Sequence, residues 1–166
     1  MLAVGDALGR PDEAAKIVLD IEARFERARA DFPQFAGRSA VVAEKFDTYV
    51  VRGATDPRTR FLTELGFVLP PDLTELTEGR DAAPLSAEQI ALLDRDLLIW
   101  NAGFTPELGA KLAQNTLYQQ LAVVQDGRAV VVDTEPLSGA LTWSTVLSLP
   151  LALAELVPVL AAALEG

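Results

Sequence analysis

No histidine and no cysteine occur among the 166 residues, and methionine appears once. The first two absences exclude His-based triads, Cys nucleophiles, disulfides and nearly every structural zinc site. Lack of cysteine suits an oxidising and a reducing compartment equally. Lysine is scarce as well, 3 residues against 11 arginines, a bias read as genomic base composition rather than function. Positive charge is short overall. The net charge of −10 excludes an electrostatic nucleic-acid partner, because most of the surface would repel phosphates. The opening residues Met1 to Gly9 have neither a basic segment nor a long apolar core, so they read as no secretory signal. A membrane span needs roughly 20 apolar residues. The apolar end, Thr145 to Leu164, is interrupted by Pro150, Glu155 and Pro158. It reads as a buried terminal helix, broken or restarted at Pro158. No Gly-x-Ser-x-Gly elbow, phosphate-binding P-loop or Gly-x-Gly-x-x-Gly turn occurs.

What is present is enough apolar residue, 50% of the chain, to bury one core in one domain. From Pro11 to Phe32 the residues Ala14, Val18, Ile21, Phe25, Ala28 and Phe32 recur at steps of three and four, with Pro33 as a stop. That spacing predicts a long amphipathic helix. Ser39 to Phe46 and Thr48 to Arg52 read as short Val-rich strands. Asp56 as N-cap, Pro57 in the first turn and Gly66 just past the end predict a helix over Asp56 to Leu65. Val68 to Pro84 reads as the one long irregular stretch. Ser86-Ala87-Glu88-Gln89 is a capping box that opens a helix through Leu93. Asp96 to Trp100 is a continuous apolar strand, the kind buried on both faces of a parallel sheet. Thr105-Pro106 and Asn115 read as caps of two short helices. Asp126-Gly127 reads as a tight turn into a strand over Arg128 to Asp133, with the last helical stretch from about Leu141. The fold expected is α/β: a three-layer Rossmann-like lobe with a central, mostly parallel sheet, preceded by a long helix.

Ligands of such sheets lie beyond the carboxyl ends of the strands. Candidate contacts are therefore Arg52 and Arg58 after the second strand, Arg80 in Glu78-Gly79-Arg80-Asp81, Trp100, Asn101 and Phe104 at the buried strand, and Trp143 in the last segment. Arg52 and Arg58 fall where free backbone N–H groups and a helix dipole favour an anion, and equally where they would pair with local carboxylates. An anionic ligand with flat rings suits this rim, through charge-assisted hydrogen bonds and stacking. Trp100 and Trp143 serve as core fillers on the other reading, and Arg80 as a solvated surface residue. Asp94 and Asp96 are the nearest acid–base pair for a small hydrolase, but they stand at the strand's entry end.

The order of these pieces resembles the C-terminal lobe of the bacterial ABC-transporter substrate-binding proteins that capture ferric siderophores, and whose relatives carry cobalamin or haem. Residues behind the resemblance are Leu8-Gly9-Arg10-Pro11-Asp12-Glu13-Ala14, Phe61-Leu62-Thr63-Glu64-Leu65-Gly66-Phe67, the passage Leu85 to Trp100, and Leu117 to Val130 with its Asp-Gly-Arg hairpin. The resemblance implies an interlobe linking helix over residues 1–35 and a lobe over 36–166, with the first lobe missing. It implies a chelated-iron ligand held in an interlobe cleft, with Arg58 and the loops after Gly79, Trp100 and Asp133 facing it. It further implies no catalysis, no cofactor beyond iron bound as chelate, and delivery to ABC permease subunits, with Glu64 as the docking residue. On the other reading Glu64 is a solvated helix-face carboxylate. The location implied is periplasmic or cell-surface, as a lipoprotein-type precursor whose signal and anchor are not in this chain. Cobalamin, haem, or a small α/β hydrolase are the alternatives.

Overall fold

The computed structural model describes residues 1–105 and 107–165. It begins with a short helix that the patterning does not announce, α1 (Leu2–Ala7), folded back on the long helix α2 (Pro11–Asp31). The stripe on α2 behaves as expected: Ala14, Ile21 and Phe25 are buried, and Val18, Ala28 and Phe32 half-buried. After a 3₁₀ turn at Pro33–Phe35 come strands β1 (Ala40–Lys45) and β2 (Tyr49–Arg52). The helix α3 (Pro57–Glu64) follows, capped by Asp56, whose carboxylate accepts from the Arg58 N–H at 2.9 Å. Gly66 ends it at φ +103, a conformation that a side chain would strain.

The stretch expected to be irregular carries two elements, α4 (Pro71–Thr77) and β3 (Ala82–Leu85). β3 is an edge strand, where Pro84 is tolerated because its missing N–H faces no partner. Ser86 and Gln89 form the expected capping box, opening a 3₁₀ helix over Ala87–Leu93. Then come β4 (Leu97–Asn101), α5 (Leu108–Ala113), α6 (Thr116–Gln119), α7 (Ala122–Gln125) and β5 (Ala129–Val132). Asn115 caps α6 as expected. Thr105 is not the cap of α5, which starts from Glu107, and Pro106 lies outside the described residues. Asp126-Gly127 makes no hairpin: it closes α7, and β5 joins β4 in parallel.

The last segment starts earlier than Leu141, as α8 (Glu135–Trp143), and resumes as α9 (Leu149–Glu165). α9 runs unbroken through Pro158. Ala154 and Pro158 both lie on its exposed side, so the carbonyl that loses an N–H partner faces water.

The sheet order is β3-β2-β1-β4-β5. β1 pairs in parallel with β4 (Val42 opposite Ile99), and β4 with β5 (Ile99 opposite Val130). β2 is antiparallel to both β1 and β3, so four of the five strands share one direction. One face packs against α2, α3, α8 and α9 through Phe25, Phe61, Ile99 and Leu156. The other packs against α4 to α7 through Leu73, Trp100, Leu108 and Tyr118. Every residue of β4 is buried, which is why its sequence is uninterrupted by surface polarity. This is the three-layer α/β arrangement expected.

The two aspartates before β4 have structural work. Asp94 accepts from the N–H groups of Ala122 and Val123 at 3.1 and 2.8 Å, capping α7. Asp96 accepts from the Ser39 N–H and hydroxyl at 2.8 and 2.7 Å, tying the entry of β1 to that of β4. Burial pushes the Asp96 carboxyl up, but hydrogen bonds from Ser39 and Arg38 outweigh it and hold the pKa below the ordinary value. A depressed folded-state pKa gives stability that is present above the unfolded value, near ~3.9. That stability is lost as pH falls through the folded pKa. Asp96→Asn is expected to cost about 1 kcal/mol at neutral pH, allowing for solvent screening of a side chain 36% exposed. Denaturant titrations between about pH 2 and pH 7 should show a shallower acid limb in the variant. An acid limb parallel to that of the parent contradicts the assignment.

Candidate functional site

Glu44 occupies the carboxyl end of β1 beside Asn101 of β4, and only 5% of it is exposed. A carboxylate there is costly unless its charge and lone pairs are met. Arg58 meets it: Nη1 donates to Glu44 Oε1 at 2.9 Å, while Nε and Nη2 grip both oxygens of Asp56 at 2.8 and 2.9 Å. Arg52 reaches across from β2 to Glu44 Oε2 and stands 3.6 Å from Asp56. Asn101 Nδ2 donates to Glu44 Oε1 at 2.9 Å and to Thr142 Oγ1 at 2.8 Å. The Ser138 hydroxyl donates to Asn101 Oδ1 at 2.6 Å. Two guanidinium groups and two carboxylates thus cancel within one hydrogen-bonded cluster. Burial, and then the like charge of Arg58, lower the Arg52 pKa from its usual height, with Asp56 and Asp81 opposing them. The cluster joins β1, β2, β4, the start of α3 and the middle of α8.

That clamp sets the positions of two exposed rings. Phe104 follows β4 and Trp143 ends α8; they are 54% and 64% exposed. Their centroids stand 5.9 Å apart, edge to face. The approach of α8 to the end of β4 requires glycine at 103, since a Cβ there would lie 2.3 Å from that of Ser138. The Trp143 ring lies over Gly139 one turn earlier in α8. Beside Trp143 a hollow of about 230 Å³ opens between α2, α3 and α9, with Phe25, Phe61 and Leu149 as its floor and Arg60 and Glu64 exposed along it.

The expected contacts therefore separate. Phe104 and Trp143 are brought together in the open. Arg58 and Asn101 are buried in the clamp, and Arg52 has a side chain only 15% exposed; for both arginines, pairing with nearby carboxylates is the arrangement found. Trp100 has no exposed surface. It fills the opposite face of the sheet between Tyr49 and Tyr118, each ring 5.9 Å away, so it has nothing to offer a ligand. Arg80 precedes β3 at the amino end of the sheet and caps α4, donating to the carbonyls of Thr77 and Leu76. Glu64 is exposed, and its carbonyl accepts from Arg29 at 2.6 Å. Ser138 falls in the segment past the last strand where the rim is expected; Glu44 and Thr142 were not anticipated. Glu44 carried one signal, a lone acidic residue ending an apolar strand. Among the described residues no His, Cys, Asp and Glu side chains gather as a metal site.

The sequence matches the periplasmic binding protein family over residues 1–136. None of the curated proteins matches it. A solved periplasmic solute binding protein from Mycobacterium smegmatis str. MC2 155 is 29% identical, with TM-score 0.79 over 98% of this chain and 55% of that one. PiaA of Streptococcus pneumoniae in complex with ferrichrome is 24% identical, with TM-score 0.78 over 97% of this chain and 56% of that one. FhuD2 from Staphylococcus aureus with bound ferrioxamine B shares the fold at 17% identity, with TM-score 0.81 over 98% and 63%. This chain thus spans little more than half the length of these proteins.

Removing one member of the clamp leaves buried charge without a partner. Arg58→Ala is expected to lower unfolding free energy by about 3–5 kcal/mol, read by chemical denaturation. A loss below about 1 kcal/mol would show that the cluster contributes no more than a surface ion pair.

Proposed function

The chain belongs to the periplasmic binding protein family, and on that premise we propose that it forms the C-terminal lobe of an iron(III)-siderophore-binding protein of an ABC uptake system. On this reading residues 1–35 are the linking helix region and residues 36–166 the lobe. The chelate is held in a cleft against the carboxyl edge of the sheet, outside the cytoplasm, and passes to a permease without chemical change. The observation that carries the reading is the exposed Phe104–Trp143 pair on that edge. Buried aromatic contacts supply large apolar area, and a rigidly supported ring loses little freedom on binding. The ferrichrome and ferrioxamine B complexes of structurally similar proteins support the ligand class. Uncovered apolar residues on the helical hairpin of α1 and α2, Leu2, Val4, Leu8 and Leu19, support its packing against a further lobe. Among the described residues, no helix is long and apolar enough to cross a membrane.

Glu64 is the proposed permease contact. It is an exposed carboxylate at the end of α3, placed to meet a basic patch, and such rim charges govern encounter more than affinity.

Two measurements test this. Ferrichrome or ferrioxamine B should quench tryptophan fluorescence of the intact protein through Trp143, and Trp143→Ala should weaken binding by about 2 kcal/mol, roughly 30-fold. Quenching retained in full by Trp143→Phe would remove the aromatic pair from the site. Glu64→Arg should leave the dissociation constant unchanged and reduce cellular iron uptake; normal uptake would remove the docking role.

A further inference from the structure

Resting on the chelate-binding reading above, we infer that Phe46, in the turn between β1 and β2, is a third aromatic wall of the ligand seat and helps set how tightly the chelate is gripped. The chain has 7 Phe, 2 Tyr and 2 Trp. Among the described residues only Phe46, Phe104 and Trp143 of these are exposed, by 58%, 54% and 64%; the rest are buried, apart from the half-buried Phe32. One exposed apolar side chain requires no function. Three aromatic residues exposed at one edge of the sheet, with every other ring withdrawn, are different, since aromatics gathered on a surface mark contact sites.

The topology puts Phe46 beside the pair. β1 and β4 are parallel neighbours with Ala43 opposite Trp100, so Glu44 comes level with Asn101, and Phe46 with Gly103, one residue before Phe104. Side chains alternate along β1: Val41 and Ala43 pack on the Trp100 side of the sheet, Ala40 and Val42 on the side of α3 and α8. Lys45 continues the first row, with its Nζ 5.1 Å over the Tyr49 ring. Phe46 therefore continues the row of Glu44, on the side where α8 ends in Trp143. Neighbouring strands are about 4.8 Å apart, so a bulky chelate resting on Phe104 and Trp143 reaches Phe46 as well.

The turn that carries the ring is tied down. Lys45 Nζ donates to the carbonyls of Phe46 and Asp47 at 3.1 and 2.6 Å. The Phe46 N–H donates to the Thr48 carbonyl at 3.1 Å, and the Thr48 hydroxyl to the Leu85 carbonyl at 2.9 Å. Tyr49, where β2 begins, accepts from Asn115 Nδ2 at 2.7 Å. A ring on so fixed a turn has little freedom left to lose when a ligand arrives.

Phe46→Ala in the intact protein should weaken binding of ferrichrome and ferrioxamine B on the order of tenfold. Quenching at Trp143 reads this, and the denaturation midpoint should stay unchanged. An unchanged dissociation constant overturns the role of Phe46 and leaves the chelate reading standing, because Trp143 still reports binding. Weaker binding with a lowered midpoint makes Phe46 a packing residue and overturns the role too. Contact is read separately with Phe46→Trp in a Trp143→Phe background, where the remaining indole, Trp100, is buried. Saturating gallium(III) ferrichrome, which lacks the iron chromophore, should shield the introduced indole from acrylamide. An indole equally accessible with and without the chelate, or already shielded before it is added, as by packing on another lobe, overturns the role. If neither chelate binds the parent protein, the role of Phe46 and the chelate reading fall together.

Discussion

A carboxylate buried at the edge of a parallel sheet has to be neutralised where it stands, and the rest of this lobe is arranged around doing so. Glu44 recruits Arg58 from α3, Arg52 from β2 and Asn101 from β4, and Asn101 passes the connection to Ser138 and Thr142 of α8. Ion clusters of this kind contribute little net stability compared with apolar packing, since desolvation offsets most of the attraction. Their effect lies in direction. Each hydrogen bond fixes an angle as well as a distance, so α3 and α8 are held in one orientation over the sheet. Apolar packing of Phe61, Ile99 and Leu141 on the same face supplies the bulk of the cohesion.

Function follows from what that orientation exposes. With α8 pulled down onto Asn101, its final residue Trp143 meets Phe104 beyond the end of β4. The arginines that would otherwise advertise an anion site are turned inward and satisfied. On the proposed reading, contact with a chelate falls to the exposed faces of these two rings.

How much of this was legible in the sequence depended on whether the determinant was local. The helix from Pro57 to Glu64 could be read because Asp56, Pro57 and Gly66 are start and stop signals within it. The run Leu97 to Trp100 declared a strand buried on both faces. By contrast, Pro70-Pro71 and Pro84 read as loop. They proved to be the start of a helix and a residue in an edge strand, positions where proline loses nothing. The start of α8 at Glu135-Pro136 carries the same signal. The role of Arg58 was only half local: Asp56 is two residues away, but its other partner Glu44 lies 14 residues away in another element, and only the register of β1 on β4 puts Asn101 beside Glu44. Trp100 looked available because it ends an apolar run, yet its parity along β4 turns it toward Tyr49 and Tyr118. Phe104, one loop further on, had no strand to bury it.

The most direct measurement is the position of iron itself. Crystals of the intact protein grown with ferrichrome or ferrioxamine B, with data collected at the iron absorption edge, locate the metal without reference to any assumed pose. The account predicts an anomalous peak in front of the Phe104 and Trp143 rings, with Arg58 still joined to Glu44 and Asp56. Iron seated at the amino end of the sheet beside Arg80, or an Arg58 swung outward onto the chelate, would contradict it.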